Sequence, residues 1–273
     1  MDGTLVNDKS ELSGRTKAAI VKAVDKGVIF VVATGRAFSN IKIVNELYEK
    51  DMPCIVLNGA AAYMGKSEKL LFERFLDFDL AVEAFKIGQE KDLAQILWTG
   101  SRLWGNKSCE ETERYASFYE ESEMTIVSDL ATIKDEVKGV SKVLWIDDPV
   151  KIKELSVEMC AHFDGRLSCV SSMLHFLEFI SLKAGKGTAL AEIGRLCGID
   201  KNEMIAIGDG QNDISMLEYA GFGVAVENAP DEVKAVCDHI TLSNNNDGVA
   251  EVIEKFVLGQ GDNPCVGEGS SVP

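Results

Sequence analysis

The sequence predicts an α/β fold in which a parallel sheet is interrupted by a large inserted segment. Short apolar runs of strand length alternate with stretches of helical period, each run ends in a polar loop, and the middle of the chain changes composition. In order, an opening loop leads to a helix with Ala18, Val21 and Val24 on one face, stopped by Gly27, and then to an apolar strand over 28–33. A second cycle has a helix over 41–48 and, after Pro53, a strand over 54–57 that ends in the turn Asn58-Gly59. The stretch from about Asp77 to Glu178 holds all three tryptophans, Trp98, Trp104 and Trp145, with an acidic block over 110–123 that reads as a solvated helix face. It is expected to be an inserted domain. The rhythm then resumes with a helix over 188–197 that sets Leu190, Ile193 and Leu196 on one face and stops at Gly198-Ile199. A strand over 204–207 runs into Gly208-Asp209-Gly210-Gln211-Asn212-Asp213. A helix to Ala220, a strand over 222–226 and a helix opened by Asn228, Pro230, Asp231 and Glu232 follow. The Gly- and Ser-rich stretch 259–273 is expected to be a disordered tail.

Composition excludes several functions. With 28 basic against 44 acidic side chains the formal charge is −16, which repels nucleic acid and anionic lipid, so neither is an expected partner. No apolar run is long enough to span a membrane, and no secretory leader opens the sequence, so a cytoplasmic location is expected. The seven cysteines are odd in number and form no CxxC pair, which favours reduced thiols over a zinc site or a disulfide framework. An acidic protein that handles phosphate has to screen it locally, and that favours a bound divalent cation over a basic pocket.

In an open parallel sheet, ligands bind outside the carboxyl ends of the strands, which places Thr34-Gly35-Arg36, Asn58-Gly59 and Gly208-Asp209 with Asn212-Asp213 around one site. Asp209 and Asp213 offer the hard oxygen ligands that magnesium takes. Each segment also has a local reading. Gly, Asp and Asn punctuate turns, Thr34 could cap a strand end, and Lys186-Gly187 could be a surface loop.

The start of the chain changes the weighing. Met1-Asp2-Gly3-Thr4-Leu5, Thr34-Gly35-Arg36, Lys186-Gly187 and Gly208 to Asp213, in this order, resemble the motifs of the haloacid dehalogenase phosphatases. Asn58-Gly59-Ala60, Leu177-Glu178-Phe179-Ile180 and Asn246-Asp247-Gly248 look like the Cof-type branch. The resemblance implies a Rossmann-like core over 1–76 and 181–258, a type-2 cap over 77–180, and an aspartyl-phosphate intermediate on magnesium. By the same resemblance Asp2 is the general acid and base, with its backbone carbonyl on the metal beside the direct ligand Asp209, and Asp213 sits next to the metal or one layer behind its ligands. Thr34, Lys186 and Asn212 hold the transferring phosphoryl group, while Gly35, Arg36 and Asn58 contact substrate. The family's nucleophilic aspartate would stand immediately before Met1, together with the central strand that presents it. Lys183-Ala184-Gly185 departs from the family pattern but leaves Lys186 in place.

The function so implied is magnesium-dependent hydrolysis of a small phosphorylated metabolite, a sugar phosphate or a phosphorylated cofactor, by a monomer or homodimer. Two rivals stand beside it: a catalytically inactive phospholigand-binding protein, and a sugar-phosphate mutase or phosphotransferase. A receiver domain also uses Asp, Thr, Lys and magnesium, but it has no room for an insertion of this size.

Overall fold

In the computed structural model, residues 1–41, 50–100, 102–119 and 123–259 are described. Ser13 opens α1 (Gly14–Asp25) by accepting a hydrogen bond from the Thr16 amide at 3.0 Å, which satisfies one of the donors a helix start leaves over. The helix buries Thr16, Ala19, Ile20, Ala23 and Val24. The expected face is therefore rotated: Ala18 is exposed, because Ile20 and Val24 form a larger apolar stripe with Thr16 at i, i+4 spacing. Strand β1 (Val32–Ala33) is shorter than the expected 28–33, since only Val32 and Ala33 form a ladder, parallel to Cys54 and Ile55 of β2 (Pro53–Val56). The helix expected over 41–48 lies outside the described residues apart from Ile41. After β2 the chain doubles back as β3 (Ala61–Met64) and β4 (Leu70–Glu73), both antiparallel, so this sheet is mixed rather than parallel throughout.

The next stretch builds a six-stranded sheet of its own. Asp77 caps α2 (Phe78–Glu90) through bonds from the Asp79 and Leu80 amides. It is followed by β5 (Ala94–Thr99), β6 (Arg102–Gly105), α3 (Glu110–Ser117), β7 (Met124–Ile126), β8 (Lys142–Ile146), α4 (Pro149–His162), β9 (Ser168–Met173) and β10 (Phe176–Ile180), with strand order β7-β6-β5-β8-β10-β9. Side-chain alternation divides its two faces. Leu97, Val143, Trp145, Leu177 and Phe179 pack with Phe85, Ile152 and Leu155 of α2 and α4. Ala94, Ile96, Trp98, Leu144 and Ile146 turn the other way, into a cluster shared with Leu5, Ile180 and Tyr115 of α3. The acidic block begins as expected: α3 presents Glu110, Glu111 and Glu113 to solvent and buries Thr112 and Tyr115.

The chain then returns through α5 (Lys186–Cys197), β11 (Ile205–Gly208), α6 (Ile214–Tyr219), β12 (Phe222–Val226), α7 (Asp231–Lys234), β13 (His239–Thr241) and α8 (Gly248–Val252). Gly198 ends α5 at φ 69°, with the Ile199 amide returning to the Gly194 carbonyl at 2.9 Å. Leu196, expected on the buried face, is exposed; Ala189 and Ile193 carry the contact, and Gly194 packs against Met204. Strands β11, β12 and β13 are parallel. Strands β1 and β11 are edge strands of two different sheets, so the core sheet of the described residues has two unpaired edges at its middle. A cavity of about 110 Å³ lies between those edges, lined by Val31, Ala33, Ala206 and Ile207 together with Met1 and Leu5. Among the described residues, no helix is long and apolar enough to cross a membrane, and the six described cysteines are free thiols.

Candidate active site

The loops that follow β1 and β11 and the first residue of α5 meet at a second cavity of about 110 Å³. Thr34 is fixed by its backbone: its amide donates to the Ile55 carbonyl at 2.9 Å and its carbonyl accepts from the Asn58 amide at 3.0 Å. Its hydroxyl accepts from the Arg36 amide at 3.1 Å, which leaves the hydroxyl proton free to donate into the cavity. Gly185, at φ 143°, gives Lys183-Ala184-Gly185 a turn that glycine favours, and Lys186 still enters as the first residue of α5. There its ammonium is buried and paired with the Asp213 carboxylate. The other Asp213 oxygen accepts from the Asp209 and Gly210 amides, each at 3.0 Å. Asp2, Thr34, Gly35, Arg36, Lys186 and Asn212 line this cavity together with Asp209 and Asp213. Asn58 joins them indirectly, through a 2.9 Å bond in which Asn212 Nδ2 donates to Asn58 Oδ1.

The carboxylates sit in unlike electrostatic settings. Burial pushes Asp2 up, but Arg36 outweighs it: Nε donates to Oδ2 at 2.9 Å and a second guanidinium nitrogen grips Oδ1, so Asp2 is held below the ordinary carboxylate range. Arg36, expected at the substrate, is thus committed to Asp2 in this arrangement. Burial also pushes Asp213 up, and the Lys186 ammonium reverses it. Asp209 alone is raised, by burial and by the neighbouring Asp213 charge, against the hydroxyl of Thr4 that donates to its Oδ1. Gly3, at φ 67°, passes so close that any side chain there would collide with the Asp209 carboxylate.

That pattern suits a cation. Asp209 is a half-buried carboxylate raised by burial and then by the Asp213 charge, a condition that a dication relieves, and the donors are the hard oxygens that magnesium selects. Among the described residues no three His, Cys, Asp or Glu side chains cluster as a metal cage. Asp2 accordingly does not join Asp209 and Asp213 through its carboxylate, which faces Arg36.

Comparison with known proteins decides the family. Residues 1–253 match the haloacid dehalogenase-like hydrolases. The chain belongs to that family. It is 29% identical to the 5-amino-6-(5-phospho-D-ribitylamino)uracil phosphatase YwtE of Bacillus subtilis, over 95% of this chain and 97% of that protein. A haloacid dehalogenase-like hydrolase from Bacteroides thetaiotaomicron superposes with a TM-score of 0.77 at 29% identity, covering 93% of this chain and 96% of that one. One from B. subtilis gives 0.80 at 26% identity, over 92% and 96%. The phosphatases among these relatives make this haloacid dehalogenase-like chain a phosphoric monoester hydrolase.

Some residues of this haloacid dehalogenase-like site were given no role from sequence. Lys142 of β8 and Glu178 of β10 form a buried ion pair at 3.0 Å on the wall of the same cavity. Asn58 Nδ2 donates to Glu178 Oε2 at 2.6 Å, and Lys142 Nζ reaches the Gly35 carbonyl at 3.4 Å, so the pair ties the six-stranded sheet to the loops after β1 and β2. The sequence did hold a signal: each is a charge inside an otherwise apolar strand. Thr4, which holds Asp209, stood within the Met1 to Leu5 motif without a role of its own, and the roofing Tyr115 and Tyr119 left no comparable mark.

Proposed function

We propose that this chain hydrolyses small phosphomonoesters with magnesium, through an aspartyl-phosphate formed on an aspartate immediately before Met1. The observation that carries the reading is the convergence of Asp2, Thr34, Lys186, Asn212, Asp209 and Asp213 on one cavity. The Met1 amino group is itself buried among Lys186, Asp213, Asp2 and Asp209, so a residue joined to it enters the middle of the cluster. The cavity between β1 and β11 supports the accompanying strand, because both edges turn their apolar side chains to it.

In the first step a carboxylate oxygen of that aspartate attacks phosphorus, and the bond from phosphorus to the leaving oxygen breaks as Asp2 hands that oxygen a proton. In the second, water gives its proton to Asp2 and attacks phosphorus, releasing inorganic phosphate and restoring the aspartate. Lys186, Thr34 and Asn212 meet the phosphoryl oxygens with an ammonium, a hydroxyl and an amide, stabilising charge that grows in the transition state. Asp209 and the Asp2 carbonyl, with Asp213 beside them, would hold magnesium, which would supply further positive charge there. Since Arg36 keeps Asp2 ionised, Asp2 stands ready as the base, and its turn as acid requires that grip to loosen. Residues 77–180 serve as the cap, and the substrate is a sugar phosphate or phosphorylated cofactor. YwtE and YcsE of B. subtilis, each 29% identical, are both named for a phosphoribitylamino-uracil.

Phosphate release from a panel of phosphomonoesters, with and without magnesium, tests this on the chain as given and on one extended upstream in its reading frame. Magnesium-dependent turnover by the extended protein, abolished by Asp209→Asn, is expected. Binding of magnesium and a phosphorylated ligand by both proteins with turnover by neither would replace the enzyme with a binding protein.

A further inference from the structure

Two cysteines stand together outside the phosphoryl site. Cys169 is the second residue of β9, an edge strand of the six-stranded sheet, and pairs in register with Phe179 of β10. Residues opposite each other on antiparallel strands share a face, and Phe179 packs against the ring of Phe163 at the end of α4, with centroids 5.6 Å apart. Cys169 therefore faces the last turn of α4. Cys160 lies in that turn, beside the buried Met159 and one turn after Ser156. Ser156, Cys160, Ser168 and Cys169 line one cavity of about 390 Å³, and in its wall the Cys169 thiol shares a hydrogen bond with Cys160. The chain that joins the two turns back on Phe163 and Leu167, both buried, with the Arg166 amide donating to the Phe163 carbonyl at 2.8 Å. The fold itself thus keeps the two sulfurs together.

Their settings differ. Cys160 is exposed, so an oxidant in solution meets it directly. Cys169 is half-buried beside the cluster that holds Phe163 and Phe179, and burial, with Cys160 next to it, pushes its thiol up to about 12. It stays protonated at neutral pH. Cys197, the last residue of α5, supplies a contrast within the same chain. It is exposed as Cys160 is, but among the described residues no second cysteine acts on it.

We propose that Cys160 and Cys169 form an oxidation site, at which a hydroperoxide converts the two thiols into one intramolecular disulfide. In the first step the Cys160 sulfur attacks a peroxide oxygen. A sulfur–oxygen bond forms, the oxygen–oxygen bond breaks, and the departing oxygen takes the thiol proton and leaves as water or an alcohol. Cys160 is now a sulfenic acid, oxidised by the two electrons that the peroxide has gained. In the second step the Cys169 sulfur attacks the Cys160 sulfur. The disulfide bond forms, the sulfur–oxygen bond breaks, and the hydroxide leaves as water with the Cys169 proton. A dithiol reductant reverses the change by exchange. The inference is independent of the phosphatase reading, since neither cysteine lines the phosphoryl cavity.

Peptide mapping by mass spectrometry of the full chain, first reduced and then exposed to hydrogen peroxide, tests it. A bond between Cys160 and Cys169 is expected, with loss of the two thiol hydrogens and recovery of both thiols on dithiothreitol. Cys169→Ser removes the resolving thiol and should let Cys160 run on to the sulfinic acid. Cys160→Ser removes the thiol that meets the oxidant and should slow oxidation of Cys169 at least about tenfold. Because Cys160 is exposed, Cys160→Ser keeps the fold and carries the test if Cys169→Ser melts early. Both thiols intact under peroxide that oxidises Cys197, a Cys160 sulfinic acid in the parent, or a disulfide from either residue to any other cysteine overturns the proposal.

Discussion

Lys186 with Asp213 and Lys142 with Glu178 are both buried ion pairs on the wall of one cavity, yet they are held in different ways. Asp213 takes its remaining hydrogen bonds from the backbone of its own loop, the Asp209 and Gly210 amides, so the core pair is locked within a continuous stretch of chain plus the start of α5. Glu178 and Lys142 stand on neighbouring strands and are completed from elsewhere, by the Asn58 side chain and the Gly35 carbonyl. The first pair builds a phosphoryl site whatever the six-stranded sheet does. The second forms within the sheet itself, and its bonds to Asn58 and Gly35 exist only when that sheet is seated on the core, so it links ligand chemistry to the seating.

The largest effects should come from breaking either pair on one side. Lys186→Ala and Glu178→Ala each strand a charge in a dry site, at a cost of about 3–5 kcal/mol in unfolding free energy, read from urea midpoints. Replacing both partners by neutral groups that keep the acceptor should recover most of it, with Lys186→Met/Asp213→Asn in the core and Lys142→Met/Glu178→Gln in the sheet. Activity then separates them. The core double variant is expected to lose phosphate release, and the sheet double variant to retain turnover of short esters within about tenfold. Equal loss in both would mean that the second pair also handles the phosphoryl group, and the contrast drawn between them would fail.

The same contrast explains what could be read from sequence. Asp209, Asn212 and Asp213 share one loop, so spacing alone puts them together, and Thr34 and Lys186 follow from strand ends and helix starts. Lys142 and Glu178 are 36 positions apart, and only strand register makes them neighbours. Helix faces were legible only in part. Of the α1 stripe Ala18, Val21 and Val24 only Val24 is buried, and of the α5 stripe Leu190, Ile193 and Leu196 the last is exposed, because apolar spacing gives the period of a helix but not the angle at which packing settles. The strand over 28–33 was read too long because ladder length belongs to the partner as much as to the run.

A smaller effect concerns Asp209, the carboxylate that neither pair neutralises. Its folded pKa is raised, so at neutral pH its charge destabilises the fold, and that burden disappears as pH falls through the raised value and the folded form takes up a proton. Asp213 runs the other way: its folded pKa is depressed, and the stability it contributes is lost only as pH falls below the ordinary aspartate range. Asp209→Asn should therefore raise the melting temperature at pH 7 in the absence of magnesium, with the gain shrinking towards pH 4, while abolishing turnover. A gain that persists unchanged at pH 4 would mean that the Asp209 charge is not the burden inferred here.

The smallest effect on stability, and the most informative one on chemistry, is expected at Arg36. Its pair with Asp2 is about a third exposed on both sides, 29% and 35%, so it contributes less than about 1 kcal/mol to folding, and Arg36→Ala should barely shift the urea midpoint. Asp2 is nonetheless held below the ordinary carboxylate range by that guanidinium, and removing it lets burial raise the carboxyl. A base with a raised pKa is protonated at higher pH, so the acid limb of kcat/KM should move upward in Arg36→Ala, while the protonated form needed by the leaving group becomes more accessible at neutral pH. Arg36→Lys restores the charge without the two-point grip and should place the limb between those of the parent and the alanine variant. An acid limb that does not move in either variant would assign it to a group other than Asp2, and Asp209, with its raised pKa in the same cavity, is the next residue to titrate there.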